Sequence, residues 1–167
     1  MPMTAMCLCF LVRTDDSGHQ EVLLGRKNQG MGQGKIVGPG GHIESGEDAR
    51  TAAAREVKEE TGLVVDPASA RQLASISFRF PARPSWDQHA EVFVATRWTG
   101  QLTASDELTP AWYRTSAVPY GDMWDDARQW LPQVLAGQEL RAEFRFAADN
   151  ETVDATTISA AVDPTLR

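Results

Sequence analysis

The chain contains little cysteine and no long apolar segment. Cys7 and Cys9 are its two cysteines, and their spacing in an apolar run predicts that both point to one face of a strand. That arrangement is poor geometry for a disulfide between them, so we expect two small, buried, reduced side chains. The apolar run from Ala5 to Val12 is too short to span a bilayer and follows no basic leader, which favours a cytoplasmic protein without membrane contact.

Basic residues are also scarce relative to acidic ones. The chain has 16 lysines and arginines against 23 aspartates and glutamates, which gives a formal net charge of −7. Polymeric DNA or RNA requires clustered positive charge, so a nucleic-acid polymer is not the expected partner. A small phosphorylated molecule remains compatible with this charge, because a bound divalent cation reverses the local sign.

The length and composition are those of one compact domain. The chain has 167 residues, of which 42% are hydrophobic, and no repeat, low-complexity tract or linker divides it. We expect a single domain over residues 1–160 and a tail over residues 161–167 without an assigned role. A monomer and a homodimer are equally compatible with the sequence.

Apolar–polar alternation and turn residues predict strands on both sides of one long helix. Strands are expected at 4–12, 21–27, 35–37, 72–80, 90–98, 110–113, 140–146 and 152–159. The long helix is expected at 47–61, with Ser45 or Gly46 as its N-cap and Gly62 as its end, and a second helix at 123–136. This order indicates a mixed α/β domain, whereas the order of strands in the sheet does not follow from the pattern.

The acidic residues of the long helix form a stripe. Each helical residue advances by about 100°, so Glu56, Glu59 and Glu60 lie within an arc of roughly 100°. Like charges at this spacing repel, and a shared cation would remove the repulsion. Oxygen ligands without histidine or cysteine suit Mg²⁺ or Mn²⁺ rather than Zn²⁺. The preceding Gly40 and Gly41 let the backbone come close enough for a carbonyl to join the carboxylates.

The segment over residues 41–63, GHIESGEDARTAAAREVKEETGL, resembles the Nudix box at each defining position. The matching residues are Gly41, Glu47, Arg55, Glu56, Val57, Glu59, Glu60, Gly62 and Leu63. On these residues the chain is identified as a member of the Nudix hydrolase family. The resemblance implies an α/β/α sandwich with a mixed sheet and a catalytic loop–helix–loop.

The same resemblance implies a set of metal and catalytic residues. Glu56 and Glu60 are the expected ligands of Mg²⁺, with Mn²⁺ as a possible substitute, and Gly40 offers its carbonyl. Glu59 is expected to be a further ligand or the base that deprotonates the attacking water, and Glu107 matches a carboxylate close to the metal. Arg55 is expected to orient a carboxylate by an ion pair. The implied reaction splits a nucleoside triphosphate into a monophosphate and pyrophosphate.

Outside the box, residues 4–160 resemble the MutT-type enzymes, and most of all the oxidised purine nucleoside triphosphatase subfamily. Matching residues include Val22, Leu23, Leu24, Gly25, Lys27, Ser105, Asp106, Glu107, Trp112, Asp122, Met123, Trp124, Trp130, Pro132, Phe144, Arg145 and Phe146. By this resemblance Trp124 stacks on the base and Asp126 contacts its edge, while Phe78 lines the pocket. Two departures imply a changed or relaxed base choice: Val37 stands in place of a base-reading asparagine, and Ala127 in place of a second acid, for which Asp125 could substitute from a shifted position.

Lys27 and Lys35 are candidates for contacts with the outer phosphates, and solvated surface lysines are the alternative. The expected substrate class is oxidised purine nucleoside triphosphates such as 8-oxo-dGTP, which the enzyme would keep from polymerases. Alternatives within the same chemistry are ordinary or methylated dNTPs, dinucleoside polyphosphates and nucleotide sugars. A Nudix-fold module that binds a nucleotide without cleaving it is the alternative from another class.

Overall fold

The computed structural model describes residues 3–160 of the chain. The strands are β1 (Thr4–Thr14), β2 (Gln20–Lys27), β3 (Ile36–Val37), β4 (Gly40–His42), β5 (Val64–Val65), β6 (Arg71–Arg79), β7 (Gln88–Ala95), β8 (Trp98–Thr99), β9 (Leu108–Arg114), β10 (Leu140–Phe146) and β11 (Val153–Ala160). The helices are α1 (Ala49–Thr61) and α2 (Ala127–Leu135), with short 3₁₀ turns at Pro67–Ser69, Pro84–Trp86, Thr115–Ala117 and Tyr120–Asp122. The expected tail at 161–167 lies outside the described residues.

The main sheet is mixed and follows the order β11, β10, β6, β7, β1, β2 and β3. Strand β1 runs parallel to β7, and β10 runs parallel to β6, whereas the other neighbours are antiparallel. Strand β4 also pairs with β1, and β9 pairs with β2. The expected α/β class with a mixed sheet is confirmed, and the parallel pairs explain why chain order alone did not give the strand order.

The two helices cover opposite faces of this sheet. On β1, Phe10 and Val12 pack into the core shared with α2, while Cys7, Cys9 and Leu11 pack into the core shared with α1. The alternation follows from the two-residue period of a strand. Both cysteines are fully buried free thiols on one face, as their spacing predicted. Because each face of β1 is covered by a helix, the architecture is an α/β/α sandwich.

The helix boundaries differ from the expected ones at their starts. The N-cap of α1 is Asp48, whose carboxylate accepts a hydrogen bond from the Thr51 amide at 2.7 Å, so the prediction of Ser45 or Gly46 was wrong. Helix α1 ends at Gly62 as expected, with a left-handed φ of 77° that suits glycine. Helix α2 begins at Ala127 rather than at residue 123, because the chain before it forms the 3₁₀ turn and a connecting stretch.

Within residues 3–160, neither helix has the length and apolar character needed to cross a membrane.

Candidate active site

Strand β4 brings glycine backbone directly against the acidic face of α1. A Cβ atom at Gly41 would lie 2.5 Å from Oε1 of Glu56, and one at Gly40 would overlap the carbonyl oxygen of Cys7. At Gly40 the conflicting atom is backbone, so only glycine fits there, whereas a side chain at Gly41 would displace the flexible end of Glu56. Because β4 lies close to α1, the Gly40 amide donates a 2.7 Å hydrogen bond to Oε1 of Glu60.

Three carboxylates meet near the C-terminal end of α1. Glu56 and Glu60 are buried, with 8% and 7% exposure, and Glu107 reaches them from the loop before β9. One oxygen of each residue lies within 4.8 Å of the others. This donor set consists of hard oxygen atoms, which are the ligands that Mg²⁺ and Mn²⁺ prefer.

The electrostatics of these carboxylates favour a bound cation. Burial raises the pKa of Glu60 to about 8, against the opposing effect of the Gly40 hydrogen bond, and nearby Glu56 and Glu107 raise it further. Burial also raises the pKa of Glu56, which the hydrogen bond from Arg55 opposes. Desolvated like charges of this kind are stabilised when a divalent ion supplies positive charge between them. The residues present therefore fit a divalent metal.

Arg55 connects the remaining acidic residues of the segment. Its guanidinium donates to both carboxylate oxygens of Glu47 at 2.8 and 2.9 Å, to Glu56 at 3.0 Å and to the carbonyl oxygen of His42 at 3.0 Å. Hydrogen bonds from Arg55 and from the Glu44 amide lower the pKa of Glu47 to about 2. Arg55 thereby fixes the loop before α1 to the helix and holds one oxygen of Glu56.

Glu59 occupies a different place from the one that the helical stripe indicated. Its side chain is 58% exposed, and its carboxylate lies 3.3 Å from the Arg55 guanidinium, one helical turn away. The residue that completes the trio with Glu56 and Glu60 is Glu107. Helical spacing fixes the angle between side chains but not which of them turns towards β4, so the stripe alone did not separate Glu59 from its neighbours.

A cavity opens on the α2 side of the sheet and reaches this cluster. Its volume is about 140 Å³, and aromatic side chains form much of its wall: Phe78, Phe80, Trp124, Trp130 and Phe146. Gly40 and Glu60 belong to the wall as well, so the cavity and the carboxylates are continuous. Pockets that enclose drug-sized ligands usually measure roughly 300–1,000 Å³. A cavity of this smaller size suits one ring system of a ligand whose remainder extends to the carboxylates.

Trp124 stands in an aromatic cage at this cavity. Phe80, Trp86 and Phe146 meet its ring edge-to-face, with centroid distances of 5.9, 6.5 and 5.7 Å. This packing fixes the orientation of the indole before any ligand arrives. Fixed aromatic rings lose little conformational entropy when a planar ligand stacks on them.

Besides Glu60, Asp126 is a second buried polar group of the cavity wall. Its exposure is 3%, and Oδ2 accepts a 2.7 Å hydrogen bond from Nε1 of Trp130. Among the described residues, Oδ1 has no hydrogen-bond partner. Burial raises the pKa of this carboxyl to about 6. A buried polar atom without a partner destabilises the fold, and Asp126 holds such an atom beside the cavity that it lines.

The other residues expected at the substrate site divide into two groups. Lys27 and Val37 line the cavity, as Phe78 does. Lys35 instead pairs with Glu151 in the turn between β10 and β11, at 2.8 Å, and its ammonium lies 4.8 Å from the centroid of the Trp124 ring. The structure therefore brings Lys35 to the aromatic cage rather than to the carboxylates.

Sequence reasoning missed three lining residues that carry polar or polarisable atoms, Met6, Met31 and Gln88. Gln88 is the first residue of β7 and shares a strand face with Ala90, which also lines the cavity. Extending the alternation of Ala90 and Val92 back by one step would have placed Gln88 on this face. The loop position of Met31 offered no comparable signal.

Known proteins resemble the chain in sequence and in fold. Residues 5–134 match the family model of the NUDIX domain. The chain is 36% identical over 135 residues to the oxidized purine nucleoside triphosphate hydrolase of Mus musculus and 35% identical over 134 residues to that of Danio rerio. Each match covers 80% of this chain and 83% of the relative. The crystal structure of a MutT protein from Bacillus halodurans superposes with a TM-score of 0.79 at 22% identity, over 94% of this chain and 98% of that one.

Proposed function

The chain belongs to the NUDIX domain family and is a hydrolase of phosphorus-containing anhydrides, and we propose that it cleaves nucleoside triphosphates with Mg²⁺ to a monophosphate and pyrophosphate. The observation that carries this proposal is the position of Glu60, which belongs both to the carboxylate trio and to the cavity wall. A nucleotide whose base enters the cavity would therefore extend its phosphates along the carboxylates.

Glu56, Glu60 and Glu107 are the side chains that would hold the metal, and the Gly40 carbonyl is a further candidate. Bound Mg²⁺ neutralises phosphate charge and lowers the pKa of a bound water, with Mn²⁺ as a possible substitute. Glu59 remains either an additional ligand or the group that accepts the proton of the attacking water. Its carboxylate is exposed, so a water molecule can reach it. The Arg55 guanidinium, 3.3 Å away, holds it in position.

Oxidised purine nucleoside triphosphates such as 8-oxo-dGTP are the proposed substrates. The mouse and zebrafish relatives, which are named oxidized purine nucleoside triphosphate hydrolases, support this class. Trp124 would stack on the base, and the unpartnered Oδ1 of Asp126 would contact its edge. Lys27, in the same wall as Glu60, would contact the phosphates. Removing such substrates keeps damaged nucleotides from polymerases.

A second candidate function, hydrolysis of a broader set of nucleotides, is favoured by one observation. Val37 and Ala127 both line the cavity and present only apolar side chains to it. Apolar walls discriminate weakly between bases, whereas groups that must hydrogen-bond discriminate strongly. The carboxylate trio argues against a module that binds without cleaving, because such a module does not need it.

The test is a substrate panel in Mg²⁺ that includes 8-oxo-dGTP, the four ordinary dNTPs, a dinucleoside polyphosphate and a nucleotide sugar. Release of pyrophosphate is measured separately from release of orthophosphate. We expect pyrophosphate, and kcat/KM for 8-oxo-dGTP more than about tenfold above that for dGTP, which corresponds to roughly 1.4 kcal/mol. Equal rates on all triphosphates would contradict the base preference, and orthophosphate as the product would contradict the bond assigned. Hydrolysis of the sugar or the dinucleotide alone would overturn the triphosphate class.

A further inference from the structure

Strand β7 places one amide side chain in the wall of the cavity. Gln88 opens the strand, where its backbone aligns with Phe78 of β6 on one side and with Thr4 of β1 on the other. Its side chain is half-buried and lies on the face that carries Ala90. The two neighbouring strands hold the backbone of Gln88, so the amide can change partner only by rotation of its side chain.

The partner of this amide in the structure is a weak one. Within residues 3–160, the side chain makes one hydrogen bond, from Nε2 to the thioether sulfur of Met31 at 3.0 Å. A thioether accepts hydrogen bonds poorly compared with a carbonyl oxygen. Replacing the sulfur by a carbonyl oxygen of a ligand would therefore be favourable for this N–H. The protein would lose only the weak hydrogen bond to Met31 in the exchange.

The other polar groups of the cavity cannot supply the same contact. Asp126 presents a carboxyl whose Oδ2 is already bonded, and the Trp130 N–H that bonds it is thereby committed. Lys27 shares its wall with Glu60, beside the carboxylates where phosphates would lie. Gln88 contributes a neutral N–H donor among aromatic and aliphatic side chains. A neutral donor in an apolar wall is complementary to a carbonyl oxygen on a base.

We propose that Gln88 is a specificity-determining residue that donates its amide N–H to a carbonyl oxygen of the substrate base. The inference rests on the proposed function and adds the group that distinguishes oxo bases from amino bases. Guanine carries one such oxygen, 8-oxoguanine carries two, and adenine carries none. Gln88 would therefore favour guanine and 8-oxoguanine alike over adenine, and one N–H of its amide would be donated to that oxygen, either in place of the sulfur of Met31 or beside it.

Two substitutions of Gln88 separate the effect of its N–H donor from the effect of its side-chain size. Gln88→Glu keeps the length of the side chain and, when ionised, offers acceptors only. We expect it to lower kcat/KM for 8-oxo-dGTP and dGTP by about tenfold or more relative to dATP, through KM rather than kcat. Gln88→Leu removes the hydrogen bond and should lower the same ratio about fivefold, because a neutral hydrogen bond contributes about 1 kcal/mol.

Matched variants show whether a changed base preference arises from contact between Gln88 and the base. Met31→Leu removes the sulfur that holds the amide in the free protein. Because Met31 also lines the cavity, the rates of this variant are compared only as the ratio of kcat/KM for dGTP to that for dATP, which we expect to stay within about twofold of wild type. A loss of preference in Met31→Leu equal to that in Gln88→Leu would assign Gln88 a structural role and overturn the proposal. Gln20→Glu and Gln20→Leu, at the exposed first residue of β2, control for a glutamine change at a strand start.

A binding experiment keeps this inference distinct from the proposed function. Calorimetric titration without metal measures the affinities for 8-oxo-dGMP, dGMP and dAMP in wild type and in both Gln88 variants. Lower affinity for the oxo bases with unchanged affinity for dAMP supports the inference even if no triphosphate is cleaved. An affinity order that the Gln88 variants leave unchanged overturns it even if the wild type cleaves 8-oxo-dGTP. Failure of all three monophosphates to bind the wild type also overturns it.

Discussion

Replacing Asp126 with asparagine should stabilise the protein above about pH 6 but not near pH 4. The carboxyl is 3% exposed, and burial raises its pKa from 3.8 to about 6. Near pH 4 the folded protein holds this group as a neutral acid, which asparagine matches in shape. Above pH 6 the folded protein must hold a buried carboxylate, whereas the variant stays neutral. The free energies of unfolding of the two proteins should therefore diverge as the pH rises.

The size of the divergence follows from the pKa. The folded state binds the Asp126 proton more tightly than the unfolded state, so unfolding releases it and the free energy of unfolding falls as the pH rises between the two pKa values. A rise from 3.8 to about 6 corresponds to about 3 kcal/mol. This contribution is lost progressively between about pH 4 and pH 6 and stays lost above that range.

The assay is urea unfolding of both proteins at intervals from pH 4 to pH 8, without metal. The difference between the two free energies of unfolding isolates Asp126, because the other titrating carboxylates are common to both proteins. We expect it to be near zero at pH 4 and about 3 kcal/mol in favour of the variant at pH 8. Asp122→Asn, at an exposed aspartate in the preceding turn, is the control and should leave the curve of the wild type unchanged. A constant difference across the pH range would refute the reasoning.

Three further predictions concern the two halves of the site. Glu60→Gln and Glu59→Gln should each lower kcat by at least about a hundredfold in steady-state hydrolysis, as loss of a metal ligand or a base does, and near-normal rates in both would remove the catalytic assignment. Trp124→Ala should raise KM about tenfold with little change in kcat, given about 1–3 kcal/mol for a stacked base, and an unchanged KM in a folded variant would leave the indole a packing role. Gly41→Ala should lower kcat by about tenfold or more, because its Cβ would lie 2.5 Å from Glu56, and circular dichroism should show the wild-type fold. Full activity of that variant would mean that Glu56 tolerates displacement.

The carboxylate cluster was largely predictable because much of it is local in sequence. Residues 41–63 carry β4, the loop and α1 together, and the spacing of Glu56 and Glu60 determines that both face one side of the helix. What spacing does not determine is which side faces β4, and for that reason Glu59 could not be separated from the others. The N-cap was missed for a related reason. Three residues able to cap lie within four positions, and only the bond from Thr51 selects Asp48.

The pocket was predictable only through resemblance, because distant segments assemble it. Trp124 lies far along the chain from Phe78 and from Val37, and nothing in the local pattern of any one predicts contact with another. Lys35 illustrates the limit. Its partner Glu151 is 116 residues away, and only the path of the hairpin between β10 and β11 brings the two together. Strand alternation gives the face of a side chain but not the element that will cover it.

The cavity wall has a consequence for how this enzyme could be redesigned. Apart from Glu60, the side chains that line it come from outside residues 41–63. Under the proposed function, recognition would therefore depend mainly on residues outside 41–63, and bond cleavage on residues 41–63 together with Glu107. An engineer could exchange Val37, Gln88 or Ala127 to obtain a new nucleobase preference while the hydrolytic apparatus stays as it is. Glu60 limits such redesign, because it belongs both to the cavity wall and to the carboxylate trio.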